Sequence, residues 1–247
     1  MNKIRDNFFK IIYALLVFLS IWYFAAFIIN RPIIPYPHEV IYELFHSNSN
    51  IFLHLNYSIM RIFFGIIFAL LFGYPIGLLM GFYDKFDKFL SPIIYLTYPI
   101  PKIALLPIVM LLFGLGNLPK VIMIVLIIIF QIILAARDGV KEIDKEVYHT
   151  LYSLGANNRE IFINIVIPAT LQKVITSLRI AVGTSISVLF FTETFGTQYG
   201  MGYFIVDSWM RFNYVEMYGG ILVLSFLGLI LFFILDFIEW ILCPWNR

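Results

Sequence analysis

Polar positions are sparse along this chain, and they separate apolar runs longer than a soluble core helix requires. Six runs stand out, at roughly 11–30, 56–82, 89–113, 119–136, 164–192 and 217–243. A helix of about 20 apolar residues crosses the hydrocarbon core of a bilayer, so the pattern predicts six transmembrane helices. The breaks between runs carry turn residues. Pro32, Pro35 and Pro37 open a segment that reads as extended chain and then a short surface helix. Asp84-Lys85-Phe86-Asp87-Lys88 is a tight polar turn, and Gly114 to Asn117 is a second connection. The interruption from Arg137 to residue 163 is longer and contains half of the charged residues of the C-terminal half.

Two runs have internal patterns of their own. The second places Gly65, Ala69, Gly73, Gly77 and Gly81 every four residues. Small residues at that spacing let helix backbones approach closely in lipid. Four residues advance about 400°, so the stripe drifts ~40° per step and is expected to wrap and serve more than one neighbour. Ser177, Ala181 and Ser185 form a shorter version in the fifth run. Packing is the expected role of both stripes, with a channel lining as the alternative. The third run contains Pro92, Pro99, Pro101 and Pro107. Each proline removes a backbone donor, and freed groups must be satisfied by protein or water. The third helix is therefore expected to be kinked and inside the bundle.

The interruption after the fourth run reads as an amphipathic helix, a break at Gly155 and a second helix start. Glycine just past a helix end takes the left-handed conformation cheaply. Asn157 followed by Glu160 has the spacing of a capping box, with Asn in place of Ser or Thr. Two helices meeting at a glycine elbow outside the bilayer suit a docking surface for another protein.

Composition agrees with a membrane protein. The chain is 61% hydrophobic and 13% charged, with mean hydropathy +0.90, against about 25% charged residues in soluble domains. A net charge of +2 without a basic-aromatic patch gives no reason to expect a nucleic-acid partner. Cys243 is the single cysteine, which excludes an internal disulfide and a cysteine metal cluster. Lys3, Arg5 and Lys10 precede 19 uncharged residues, Ile11 to Ile29. That run exceeds a signal-peptide core and lacks a small-residue cleavage site, so an uncleaved spanning helix is expected.

Lysine and arginine set the orientation. With the N-terminus inside, ten fall on the cytoplasmic side and only Arg31, Lys120 and Arg211 outside; Arg61, Lys102, Lys173 and Arg179 lie within or at the edges of spans. This positive-inside bias puts both termini and the Gly155 elbow in the cytoplasm. The chain then divides into an N-terminal transmembrane helix (1–30), an extracytoplasmic segment (31–55) and a five-helix core (56–247) with a cytoplasmic loop at 137–163.

Catalytic patterns are missing. There is no phosphate-binding Gly-x-x-x-x-Gly-Lys-Ser/Thr, no Gly-x-Ser-x-Gly and no His-Glu-x-x-His. No catalytic residue, metal site or bound cofactor is expected. His38, His46 and His54 share one outer segment, where a metal site is conceivable and isolated surface histidines are the plainer account; His149 stands apart. Ionisable residues inside a membrane are expensive and usually functional. Lys102 is either an electropositive point on an anion's path or a cation bonding carbonyls freed by Pro99 and Pro101. Arg61 and Glu193 lie near span ends, where interfacial pairing suffices, although the Gly-rich stretch from Glu193 to Trp209 also suits an outer gate.

The order Gly155, nine residues, Ile165, any residue, Ile167, Pro168 resembles the cytoplasmic signature of permease subunits of binding-protein-dependent ABC importers. The usual Glu-Ala-Ala is His149-Thr150-Leu151 here, and the usual Leu is Ile167. Tyr98 to Pro107, Phe113-Gly114-Leu115-Gly116, Ser58 to Arg61 with the glycine stripe, and Glu193 with Gly200-Met201-Gly202-Tyr203 resemble the sulfonate/nitrate/taurine branch. The resemblance implies an all-α, type I importer permease. It implies cytoplasmic ATPase subunits holding ATP and magnesium, an extracytoplasmic binding protein, and a second permease, identical or paralogous, in a bacterial cytoplasmic membrane. The substrate would be a small anion or a thiamine- or riboflavin-related heterocycle. His149, Thr150, Leu151, Gly155, Ala156, Ile165, Ile167 and Pro168 would form the ATPase-coupling loop. Lys102, Ser185, Glu193, Gly200 and Gly202 are candidates for the translocation path or gate. The competing class is a self-contained secondary transporter or an intramembrane enzyme using Glu193 or Lys102.

Overall fold

The structure is a computed structural model that describes residues 2–46 and 50–246. The described residues form helices and connections, without a strand. That is what apolar runs dictate where no water is present, because a helix satisfies its own backbone. Helix α1 covers Asn2–Ile29. Its C-terminal end is pinned by Trp22, which donates Nε1–H to the Pro35 carbonyl at 3.0 Å and stacks on Tyr218 at 5.6 Å. The short helix α2 (Pro37–His46) follows, its start closed by Glu39 accepting from the Tyr36 amide at 2.9 Å. Helix α3 runs Ile51–Phe82, beginning earlier than the apolar run at 56.

Next come α4 (Asp84–Thr97), a 3-10 turn (Lys102–Leu105) and α5 (Leu106–Phe113), with the two limbs bent by 80°. Helix α6 is Asn117–Lys141, α7 is Lys145–Ser153 and α8 is Asn158–Ile161. A π-helical turn, Phe162–Val166, joins α8 to α9 (Ile167–Glu193). Helices α10 (Met201–Met210) and α11 (Tyr214–Leu242) complete the order. Among the described residues four helices are long and apolar enough to cross a membrane: α3, α6, the continuous 158–193 unit and α11. The α4–α5 pair makes a fifth if it is one span, and the apolar part of α1, Tyr13–Ile29, is shorter.

The four glycines of the α3 stripe meet one partner, which corrects the expectation of several for those positions. A Cβ built on Gly65 would stand 2.5 Å from Ile124, on Gly77 2.6 Å from the Ala136 Cβ, and on Gly81 2.5 Å from the Val140 Cβ; Gly73 faces Ile132 at 3.3 Å. Every one of these partners is on α6. Helix α6 presents its own period-four row, Ile124, Ile128, Ile132, Ala136 and Val140, all buried. Two rows with the same drift stay in contact when the helices wind around each other, so the ~40° step calls for no further neighbour.

The pairing runs at a constant sequence offset in the same direction, so α3 and α6 are parallel. The first turn of α4, directly after the C-terminal end of α3, pairs with the C-terminal end of α6: Asp87 meets Lys141 and, at 3.8 Å, Arg137. At the opposite end Asn117 of α6 accepts from Arg61 of α3. The segment between them must therefore travel the full length of the bundle, which makes α4 and α5 one broken span rather than a re-entrant loop.

That span differs from the kinked, enclosed helix expected at 89–113. It starts at Asp84 and breaks outright around Tyr98–Pro101. Pro99 and Pro101 have no N–H for the carbonyls of Tyr95 and Thr97. Lys102 supplies a donor to the second of these, with Nζ 3.3 Å from the Thr97 oxygen, and also bonds the Tyr98 carbonyl at 3.0 Å. Within one chain the span is not enclosed: Leu96 is 78% and Leu111 86% exposed.

Helix α9 runs opposite to α3 and α6, and α11 runs opposite to α9. Gly228 of α11 faces Ile186, and Arg179 of α9 pairs with Asp236 and Glu239.

Candidate functional site

The elbow is built from local sequence. Helix α7 ends in a Schellman motif: the Ala156 amide bonds the Leu151 carbonyl at 3.0 Å and the Gly155 amide that of Tyr152 at 3.0 Å. Gly155 has φ +85°, with open space where a Cβ would go. Asn157 and Glu160 then form the expected capping box, each side chain accepting from the other's amide at 2.9 Å. Tyr152 donates to Asn158 Oδ1 at 2.8 Å and ties the two limbs together.

The elbow leans on α3. Phe82 packs edge-on to Phe162 at 5.3 Å, and the Tyr74 hydroxyl contacts the Ile167 carbonyl and Thr170 Oγ1. Residues expected in the coupling loop therefore divide. His149, Thr150 and Gly155 face outward, whereas Leu151, Ala156, Ile165 and Ile167 pack against the core. Pro168 follows the π turn, which closes through the Ile167 amide on the Phe162 carbonyl. The sequence reading missed the most exposed apolar residue of the elbow, Leu154, at 79%. An apolar side chain directly before a turn glycine was the available signal.

At the other end of the bundle, Glu193 and Arg61 form a fully buried pair, not an interfacial one. Their charged atoms are 2.6 Å apart, with side-chain exposures of 0% and 2%. Glu193 also accepts from Ser58 Oγ at 2.9 Å and from the Gly202 amide at 2.9 Å. Arg61 donates to Asn117 Oδ1, to the Tyr199 carbonyl at 2.8 Å and to Thr197 Oγ1 at 3.3 Å. Lys120, also buried, bonds the carbonyls of Gly116 (2.7 Å) and Gly196 (3.4 Å). Desolvated charges persist only when their partners are complete, and this cluster joins α3, α6, α9, α10 and the 194–200 loop.

Glycine is required where that loop meets the carboxylate. Gly200 has φ +126°, and a Cβ there would enter the Glu193 carboxylate. A Cβ on Gly202 would sit 2.8 Å from that of Glu193. The path and gate candidates Glu193, Gly200 and Gly202 thus come together. Ser185 lies apart, buried and donating to the Ala181 carbonyl in its own helix. Lys102 is at the break of the third span. Lys120 and Asn117, read as outer-loop residues, are part of the buried cluster, because α6 begins inside the bundle.

The outer histidines separate. His38 stacks with Tyr23, His46 stacks on Tyr42, and His54 contacts Gly200 and Tyr203. Among the described residues no three metal-ligating side chains converge.

Comparison with known proteins gives this geometry its context. Residues 73–247 match the family described as binding-protein-dependent transport system inner membrane component. The chain is 30% identical over 234 residues to the formylaminopyrimidine transport permease protein ThiX of Halalkalibacterium halodurans, covering 94% of each. It is 30% identical over 242 residues to the taurine transport system permease protein TauC of Escherichia coli, covering 94% of this chain and 88% of that one. Its fold is similar to an inward-facing MetNI methionine ABC transporter chain, with TM-score 0.67, 18% identity, and coverage of 75% of this chain and 93% of that one. The chain belongs to the binding-protein-dependent inner membrane components: it is an integral membrane permease subunit of an ABC importer, in the branch that contains the taurine permease.

Proposed function

We propose that this permease crosses the membrane six times, with α1 as the sixth span and both termini cytoplasmic, and that the Gly155 elbow is the contact through which a separate ATPase drives it. The observation that carries this reading is the elbow's two-sided build. Its tip presents Leu154 and open space at Gly155, while its back is packed onto α3 through Phe82 and Phe162. A push on the tip is thereby delivered to a membrane helix. The positive-inside distribution supports a cytoplasmic elbow, where ATP and magnesium would be held by the partner and not by this chain.

The exposed faces of α4 and α5, with Leu96, Leu111 and Leu112 turned outward, support a second permease copy lying against them. The Arg61–Glu193 cluster closes the extracytoplasmic end, beneath a docked binding protein. The relatives' names favour a small sulfonate-like anion or an aminopyrimidine-type heterocycle as cargo, in a bacterial cytoplasmic membrane.

Reconstitution with the ATPase and binding protein tests the coupling role. Leu154→Asp and Gly155→Asp place a carboxylate on the tip, with strain of only about 1–2 kcal/mol at the second site. Insertion and pairing of permeases should persist while transport and ATPase stimulation are lost. Normal transport in both variants would remove the elbow from the coupling path.

A further inference from the structure

A second, smaller feature lies halfway through the bundle. Where the third span breaks, a pocket of about 230 Å³ is lined by Tyr98, Ile100, Lys102, Ile103, Ile127 and Gln131. Gln131 is near the midpoint of the 25-residue α6, so the pocket lies about halfway along that span. Lys102 Nζ sits 4.7 Å from the Phe130 ring centre and 5.4 Å from that of Tyr98. Two of its three N–H donors are used on the Thr97 and Tyr98 carbonyls, which leaves one. Across the same pocket, Gln131 Oε1 is a buried acceptor with no hydrogen-bond partner among the described residues.

We propose that this pocket is a transit subsite for a small organic anion that also carries an N–H donor. The anionic end would take the remaining Lys102 donor. The N–H would pair with Gln131 Oε1 after rotation about the terminal torsion. The carbon skeleton would lie on Ile100, Ile103 and Ile127. Helix-end capping accounts for the position of Lys102 but leaves the Gln131 oxygen unmatched. A ligand with both functions satisfies both residues, in a place where an ionisable side chain is costly to keep. The subsite rests on the importer reading and gives its cargo a chemical class.

The test uses the assembled importer, with its ATPase and binding protein, in nanodiscs. Ile100→Cys and Ile127→Cys are made separately in a Cys243→Ser background and labelled with a neutral thiol reagent. The probes are taurine, ethanesulfonate and ethanolamine. Taurine at twice its Kd should slow labelling about threefold, ethanesulfonate less, and ethanolamine not at all. Lys102→Met should abolish protection and Lys102→Arg should keep it. Gln131→Leu should reduce taurine to the level of ethanesulfonate. Protection that survives Lys102→Met, equal protection by ethanolamine, or no protection at either cysteine overturns the subsite. ATPase stimulation by the binding protein is scored on the same samples. Stimulation without protection sinks the subsite alone, and loss of stimulation already in the Cys243→Ser background sinks the elbow-coupling reading instead.

Discussion

Arg61 and Glu193 stand 132 residues apart in sequence and 2.6 Å apart in space, both sealed from solvent. Their partners are complete, and this is what makes the pair tolerable. Removing one member strands the other. Arg61→Met should therefore cost about 3–5 kcal/mol, while replacing both members by apolar residues of similar size should recover part of that loss. Thermal unfolding of the detergent-purified single and double variants, followed by monodispersity, measures both. A double variant no more stable than Arg61→Met would show that a stranded Glu193 carries no penalty and that the loss has another source.

The α3–α6 contact gives a prediction with an internal control. Gly77 lies against the Ile133 carbonyl and the Ala136 Cβ, whereas Gly183 of α9 has nothing within 4 Å of a built Cβ. Gly77→Ala should destabilise by about 1–3 kcal/mol, because parallel helices must separate. Gly183→Ala should be neutral or stabilising by up to about 1 kcal/mol, since alanine suits a helix better than glycine. The two thermal midpoints, compared in the same detergent, decide it. Equal effects would mean the stripe is not a close contact.

Topology can be read with single cysteines in a Cys243→Ser background. Asn117 is a poor site because it holds Arg61, so exposed Leu118, Leu154 and Met210 are better choices. An impermeant thiol reagent on intact cells should label Leu118→Cys and Met210→Cys and spare Leu154→Cys. Labelling at 154 from outside would invert the orientation and remove the elbow from any cytoplasmic ATPase.

What could be read from sequence alone was what depends on neighbours along the chain. Gly155, Asn157 and Glu160 specified their own motif, since a Schellman end and a capping box close within a few residues. The four-residue spacing announced a close helix contact but not its partner, because the matching row on α6, three isoleucines followed by Ala136 and Val140, looks like ordinary apolar filler. The prolines announced a disturbance in the third span. Its size, an 80° break, was not legible, because the count of prolines does not say how far the two limbs turn. The Arg61–Glu193 pair was out of reach, as nothing local joins residues on α3 and α9. Asn117 and Lys120 were misplaced because polar residues after a turn read as solvent-facing, and here they enter the bundle to complete that pair.

The π turn before Pro168 gives the last prediction. Proline at 168 has no N–H for the Asn164 carbonyl, and the chain accommodates this by widening the turn, with the Ile167 amide bonding the Phe162 carbonyl. The widened turn lies between the elbow and the membrane part of α9, so it sets their relative rotation. Pro168→Ala restores the donor. Closing the bulge to an α turn would rotate one part against the other by about 100°, one residue of helix, and would pull Phe162 from Phe82. The hydrogen bond gained contributes about 1 kcal/mol and offsets part of the lost Phe162–Phe82 packing, so the net stability change should be small. Coupling should suffer far more: losing 1.4 kcal/mol of productive contact lowers transport about tenfold. The check is ATP hydrolysed per substrate moved, in proteoliposomes holding the full importer with the substitution, with thermal stability scored in parallel. The ratio should rise about tenfold at near-normal stability. An unchanged ratio would show that the π turn absorbs the proline and takes no part in transmitting the ATPase stroke.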